Sequence, residues 1–189
     1  MNAAIGMRMA TAVGAVLVAG CFSSRPPNPT NWTIEAVPSL VEAAASPAFG
    51  PVRVVSVKVR SPYDSLRMAV LRPDGSLAFD AYNVFAAAPS AVLRGATADA
   101  VEASGLFAAM GTASVGSGTL EVEISRLALD CRREGKREAV VELSLVHSPD
   151  RKTSKTVRSA GRVPVSDGCY TSPFSEAFTV ALVKALAKL

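Results

Sequence analysis

Few side chains in this 189-residue sequence have a strong capacity for chemistry: one histidine, His147, and three cysteines, Cys21, Cys131 and Cys169. A hydrolytic Ser-His-Asp arrangement would need His147 as its base, with partners drawn from distant positions. His147, however, ends an alternating apolar run through Ala139, Val141, Leu143 and Leu145, where a hydrogen-bonded structural histidine is expected. No nucleophile elbow, spaced carboxylate pair or metal-ligand series accompanies it. Asp74-Gly75 lacks the further ligands of a metal loop and reads as a turn. The Gly/Ser-rich stretch 111–118 lacks the Gly-Lys-Ser/Thr ending of a phosphate-binding loop and reads as a strand end and turn. These residues predict a protein that is not an enzyme and that needs no metal or cofactor.

The chemistry that the spacing does support is lipid attachment at Cys21. Thr11 to Cys21 is an apolar run closing on Val18-Ala19-Gly20-Cys21, and Arg8 is the only charge ahead of it. A spanning helix needs roughly 20 apolar residues. This run is shorter and reads as the core of a cleavable export signal. Small residues directly before a cysteine look like a bacterial lipoprotein signal, in which Cys21 is lipidated and becomes the mature N-terminus. A plain secretory signal cut near Gly20, or a short uncut anchor, are the other readings of the same residues. Each buried CH2 of an acyl chain contributes about 0.8 kcal/mol, so several chains (palmitate among them) make a permanent anchor. Phe22 stands where aspartate would favour retention in the inner membrane, which predicts an outer-membrane lipoprotein facing the periplasm. Pro26, Pro27 and Pro29 then mark a tether. Such chains extend at about 3.1 Å per residue, giving a reach on the order of 30 Å. The expected organisation is a signal peptide over 1–20, the lipidated cysteine and tether over 21–31, and a single domain over 32–189.

In an oxidising periplasm Cys131 and Cys169 form a plausible disulfide, stapling the last helix to a long hairpin at roughly 3 to 4 kcal/mol of loop entropy. Two buried free thiols are the alternative. The composition, 49% hydrophobic and 19% charged with a net charge of +4, suits one globular domain with a real core. Its basic residues are spread rather than interleaved with aromatics, so nucleic acid is not an expected partner, whereas anionic phospholipid is. Arg132, Arg133, Lys136 and Arg137 crowd the stretch 131–138, which reads as a solvated hairpin tip and alternatively as a contact for lipid phosphate or an acidic partner.

Apolar periodicity places the elements around these residues. Trp32 to Ala36 is a short first strand ended by Pro38, and Ser39 to Gly50 carries no clear pattern. Val55, Val57 and Val59 define one face of a strand from Val52. Leu66–Leu71 and Leu77–Tyr82 form a hairpin through Pro73, Asp74 and Gly75. Pro89 opens a helix with an inward stripe of Leu93, Ala96, Ala100, Val101 and Ser104, capped by Gly105, with Leu106 and Phe107 folding back under its end. Leu120, Val122 and Ile124 switch parity to Leu127 and Leu129, which predicts a bulge near Ser125 and Arg126. Ala139–His147 is its partner strand, and Lys155–Val165 is a last strand whose basic exposed side protects an edge. Ser172 as N-cap, Pro173 at N1 and Lys184 near the end bracket a final helix with Phe174, Phe178, Leu182, Ala185, Leu186 and Leu189 on one face. The predicted fold is an α+β two-layer sandwich, a mainly antiparallel sheet with two helices on one face.

The order from Val52 to Phe107 is a valine-rich strand, Ser61-Pro62-Tyr63-Asp64, the turn Arg72-Pro73-Asp74-Gly75, Phe79-Asp80-Ala81-Tyr82-Asn83, the stretch Ala86 to Pro89, and a helix ending Ser104-Gly105-Leu106-Phe107. It resembles the ABC-type transport auxiliary lipoprotein family, and the later strand pair and last helix fit the same layout. Many members carry Arg-Trp where this chain has Val84-Phe85. The resemblance implies a non-catalytic periplasm-facing lipoprotein that works with an ABC permease, an ATPase and an MCE-domain protein in moving lipids between membranes, as a possible homo-oligomer. Tyr63, Tyr82 and Phe85 are the partner-contact residues it suggests. A cell-envelope structural lipoprotein or a tethered hydrolase sharing the fold is the alternative.

Overall fold

The structure is a computed structural model describing residues 30–111, 118–150, 152–166 and 170–189. The signal, Cys21 and the tether as far as Pro29, Cys169 and the stretch 112–117 lie outside the described residues, whereas Thr30 and Asn31, expected in the tether, belong to the first strand. In chain order the elements are β1 (Thr30–Trp32), a single 3-10 turn (Pro38–Leu40), β2 (Val52–Val59), β3 (Arg67–Leu71), β4 (Leu77–Phe85), α1 (Pro89–Ala103), β5 (Gly118–Asp130), β6 (Glu138–Ser148), β7 (Lys155–Pro164) and α2 (Thr171–Leu186).

Among the described residues seven strands form one sheet, ordered β1-β4-β3-β5-β6-β7, with β2 also on β5. β6 pairs antiparallel with β5 along its whole length, and β7 follows antiparallel. The other edge of β5 is shared. Its first half pairs with β2, from Val52↔Gly118 to Val59↔Ile124, and its end pairs with β3 at Val70↔Leu129 and Leu71↔Asp130. β2 and β3 therefore lie end to end, parted by the Pro62-containing break, where the Arg60 N–H still reaches the Ile124 carbonyl at 2.9 Å. The expected α+β layering is present, and both helices contribute to one core on one face. The sheet is mixed: β1 on β4, and β2 and β3 on β5, are parallel pairs. A hairpin and a helix separate β2 from β5, which is chain enough for the crossover that a parallel pair requires.

Bulges reconcile the apolar patterns. The register of β5 against β6 shifts between Ile124 and Arg126, as the parity switch predicted, so Leu120, Val122, Ile124, Leu127 and Leu129 all enter one core. β2 carries a second irregularity that the sequence reading missed, between Val54 and Ser56. Its inward residues are Val52 and Val54 before it and Val57 and Val59 after it, not one parity throughout. β4 extends past Tyr82 to Phe85 because its middle is looped out, the register slipping from Ala69↔Phe79 to Arg67↔Val84. Asp80 shapes that loop: its Oδ1 accepts the N–H groups of Tyr82 (2.8 Å) and Asn83 (3.0 Å), and its Oδ2 accepts Asn83 Nδ2 (2.9 Å). The first strand lies two residues earlier than Trp32–Ala36. After Trp32 the chain leaves the sheet and runs along α2, where the Glu35 N–H donates to Ser175 Oγ (3.1 Å) and the Val37 N–H to Thr179 Oγ1 (3.0 Å).

The helices begin and end on local chemistry. Ala88 at the N-cap of α1 has no side-chain cap, and Asp64 supplies one from the β2–β3 connection: the Ser90 N–H donates to Oδ1 and the Ser90 hydroxyl to Oδ2, both at 2.9 Å. Gly105 follows at φ 59°, the left-handed conformation a helix terminus favours in glycine. α2 starts at Thr171, with Tyr170 rather than Ser172 at the N-cap, and the Ser172 hydroxyl instead donates to Glu176 Oε1 at 2.6 Å. Its buried face is the expected one, through Phe174, Phe178, Leu182, Ala185 and Leu186. α2 lies so close on β7 that a Cβ at Gly161 would stand 1.8 Å from the Ala177 carbonyl oxygen.

Two stability measurements follow from these contacts. Asp64→Ala should lower stability by about 1 kcal/mol, the usual worth of a helix cap, with the denaturant m value unchanged. Gly161→Ala should cost about 3 kcal/mol or more by overpacking against helix backbone, read as a lowered urea midpoint. Gly50→Ala, where an added Cβ meets nothing within 4 Å, is the control for that variant.

Candidate functional site

His147 is only 5% exposed and lies between two phenyl rings. Its centroid is 5.0 Å from that of Phe49 and 5.4 Å from that of Phe107, both edge-on, and those two rings stack on each other at 5.4 Å. The arrangement arises because β6 places His147 on the core parity while Phe49 and Phe107 meet in a short parallel bridge. Burial pushes the imidazole pKa down from its ordinary value, which favours the neutral ring. The histidine thus has the structural place expected of its parity, and its aromatic partners, far apart in sequence, carried no signal.

The same connection borders an apolar cleft. The Ala44 N–H donates to Ser104 O (2.8 Å), and the Ala48 and Phe49 N–H groups to Leu106 O (3.0 Å each), fastening the stretch 44–49 to the end of α1. Between this stretch and the C-terminal end of α2 lies a volume of about 460 Å³ whose walls include Val41, Ala44, Leu106, Val183 and Leu186. The alanine-rich sequence before Gly50 showed no pattern from which it could be read.

The sheet face away from the helices is charged. Arg132 grips Asp130 with two parallel bonds, Nε to Oδ1 at 2.9 Å and Nη2 to Oδ2 at 2.7 Å, while Arg162 approaches Oδ2 at 3.4 Å. The Arg132 guanidinium leads the groups that hold the Asp130 carboxyl far below the usual carboxylate range. Arg126 donates to Glu142 at 2.7 Å, Arg162 also lies 3.6 Å from Glu138 and Glu142, and Arg60 pairs with Glu123. Half-exposed pairs of this kind contribute little stability. They tile the face with balanced charge. The stretch 131–137 is the hairpin tip expected, but Arg132 is committed to Asp130. Burial raises the pKa of the Cys131 thiol.

The three suggested contact residues do not form one surface. Tyr63 is half buried, packed against both the main core and the small cluster of Ala69, Leu71 and Ala128 on the other face. Phe85 is 5% exposed with its ring edge-on to Phe174 at 6.2 Å, so it is a core group. Tyr82 alone of the three is open to solvent, at 46%; other exposed apolar residues are Phe79 on the same strand, at 41%, and Leu66 just before β3, at 54%. Among the described residues no group of three or more acidic, histidine or cysteine side chains could hold a metal, and no helix is long and apolar enough to cross a membrane.

No family model and no curated protein matches the chain. Solved structures do. Protein XCC0632 from Xanthomonas campestris, described as DUF330, aligns over 85% of this chain and 90% of its own at 20% identity, with a TM-score of 0.60. That likeness shows the fold. An uncharacterized protein aligns at 12% identity over 82% of this chain and 95% of its own, with a TM-score of 0.47. PelC from Paraburkholderia phytofirmans, described as a dodecamer, aligns at 15% identity over 79% of this chain and 92% of its own, with a TM-score of 0.39.

His147 makes the stability of the domain sensitive to pH. A histidine pKa lowered on folding gives stability that is complete above its ordinary value of 6.5 and is lost as pH falls through the folded value. The urea midpoint should therefore drop from pH 7 to pH 5, and His147→Leu should remove that component of the slope. An equal slope in both proteins would mean that His147 is not the group responsible.

Proposed function

We propose that the chain is a lipid-anchored, periplasm-facing auxiliary component of an MCE-type ABC transport system that moves lipids between the inner and outer membranes, and that it binds rather than catalyses. The observation that carries this reading is the residue order from Val52 to Phe107, whose motif residues act together in one continuous unit. Asp64 in Ser-Pro-Tyr-Asp caps α1, Gly75 turns the β3–β4 hairpin at φ 82°, Asp80 and Asn83 shape the loop in β4, and Gly105 ends the helix. Lipidation of Cys21 is part of the same proposal and is supported by the sequence alone.

Docking to a transporter then falls to side chains that the architecture leaves exposed, Tyr82 with Phe79 and Leu66. Self-association of the chain belongs to the same reading. A tethered hydrolase would need His147 as its base, and that ring is enclosed between Phe49 and Phe107.

Affinity purification of the full chain from crosslinked membranes should recover an MCE-domain protein together with the permease or ATPase, and Tyr82→Ser with Phe79→Ser should reduce the recovery severalfold. Crosslinking in intact cells that captures none of these proteins would overturn the proposal.

A further inference from the structure

We infer that the end of the sheet carrying the turns 72–76 and 131–137 is a docking surface for the anionic phospholipid headgroups of the membrane that holds the chain. This rests on the lipid-anchored reading above, and it adds which end of the molecule faces the bilayer.

Strand direction supplies the first argument. β3 and β5 both finish at this end, with Leu71 beside Asp130. β4 sets out from it, with Leu77 beside Leu71, and β7 arrives there, with Pro164 beside Glu138. β1 runs parallel to β4 with Thr30 beside Asn83, so the backbone passes Thr30 travelling away from the turns. A tether leading into β1 therefore comes from the side of the turns. Because the middle of β4 is looped out, with Val84 beside Arg67 and Leu77 beside Leu71, the level of Asn83 lies only about 10 Å from that of Leu77 at strand rise. Nine residues from Cys21 to Pro29 would span about 28 Å in extended proline-rich form, enough to clear the end of the sheet by roughly 18 Å. An anchored Cys21 would keep the turns within reach of the headgroups.

Charge supplies the second. Arg72, Arg132, Arg133 and Lys136 are exposed at this end. Arg132 is occupied by Asp130, and Asp74 faces Arg72 electrostatically while its Oδ1 accepts the Ser76 N–H at 2.9 Å. Arg133 and Lys136 flank the apex of the longer turn, where Gly135 adopts φ 66° and the Lys136 N–H closes onto the Arg133 carbonyl at 3.0 Å, against the single acid Glu134. The opposite end of the sheet, with the β6–β7 turn and the end of α2, also exposes Lys152, Lys155 and Lys188, so charge permits either end and the direction of β1 chooses between them. Juxtamembrane arginine and lysine each strengthen attachment to an anionic surface about fivefold, an effect that fades within a Debye length.

The test uses the mature chain from residue 21 with Cys21→Ser, which takes no acyl group, floated with vesicles of phosphatidylglycerol and phosphatidylcholine or of phosphatidylcholine alone, at low and high salt. Binding should favour the anionic vesicles and weaken with salt. Arg133→Gln with Lys136→Gln should reduce the anionic preference on the order of 25-fold with the thermal midpoint unchanged, and Arg133→Glu with Lys136→Glu should reduce it further. Equal binding to both vesicles, or an anionic preference indifferent to the reversal, would overturn the inference. So would capture of an acidic protein through these residues with no preference for anionic lipid. Loss of vesicle preference with transporter subunits still co-purifying would refute the orientation alone. Vesicle preference without any transporter subunit would refute the proposed function alone.

Discussion

The fold depends on one edge of β5 serving two strands. β2 takes its first half and β3 its end, and β6 occupies the other edge throughout. Side chains in a strand alternate with a period of two, so thirteen residues in regular register would carry a fixed parity into the core from end to end. The sequence breaks that parity, with Ile124 and Leu127 both directed inward, and the bulge between Ile124 and Arg126 absorbs the odd residue. The position of the bulge matters: Ile124 is the last residue paired with β2, beside Val59, and β3 pairs only further on. The kink therefore falls between the two partners, where it disrupts neither ladder.

The helix layer is held by very close approach. At Gly161 the backbone of α2 comes near enough to β7 to exclude any side chain, and the Ser159 hydroxyl reaches the Ala181 carbonyl at 2.5 Å. On its other flank α2 receives the chain after β1 through Ser175 and Thr179, whose hydroxyls accept the N–H groups of Glu35 and Val37. Thr179 also donates to the Ser175 carbonyl at 2.8 Å, so its hydroxyl is used as donor and acceptor. A segment that leaves a sheet loses its ladder partners and must find others where it is buried. Here buried helix side chains provide them, and Ile34 can enter the core at 2% exposure without stranding the adjoining amides.

What was legible in the sequence follows from how local the cause is. The β5 bulge, the β3–β4 turn at Gly75, the Gly105 terminus and the buried face of α2 are written in adjacent residues or in one helical period, and they were readable. The irregularity in β2 was not: Val52, Val54, Val55, Val57 and Val59 are chemically alike, so either parity fits and only pairing with β5 decides. The start of α2 went wrong because Ser172 has the chemistry of an N-cap, yet its hydroxyl finds Glu176 instead. Asp64 was read only as part of a break, since its role at Ser90 spans 26 residues. The partners of His147 and Asp130 were hidden for the same reason. Phe85 misled in the opposite direction, because an aromatic in a recognisable pattern suggests a contact while its burial against Phe174 is a tertiary fact.

The residues that make the Val52 to Phe107 pattern recognisable are mostly spent on architecture. Asp64 caps, Asp80 and Asn83 bend β4, Gly75 and Gly105 take left-handed conformations, and Trp32 donates to Asn83 Oδ1 at 2.9 Å to fix β1 against the bend. Such residues preserve a shape, and a shape does not determine a function. Specific contacts must then reside in groups that the shape leaves unspent, the apolar trio of Leu66, Phe79 and Tyr82 and the basic apex at Arg133 and Lys136. These differ in chemistry, and β4 carries Phe79 and Tyr82 away from the end where the apex lies. Exposed apolar side chains suit a protein partner, and a basic apex suits a charged interface. On the proposed reading, one small domain would meet a membrane and a protein at once, because the two contacts would draw on different atoms.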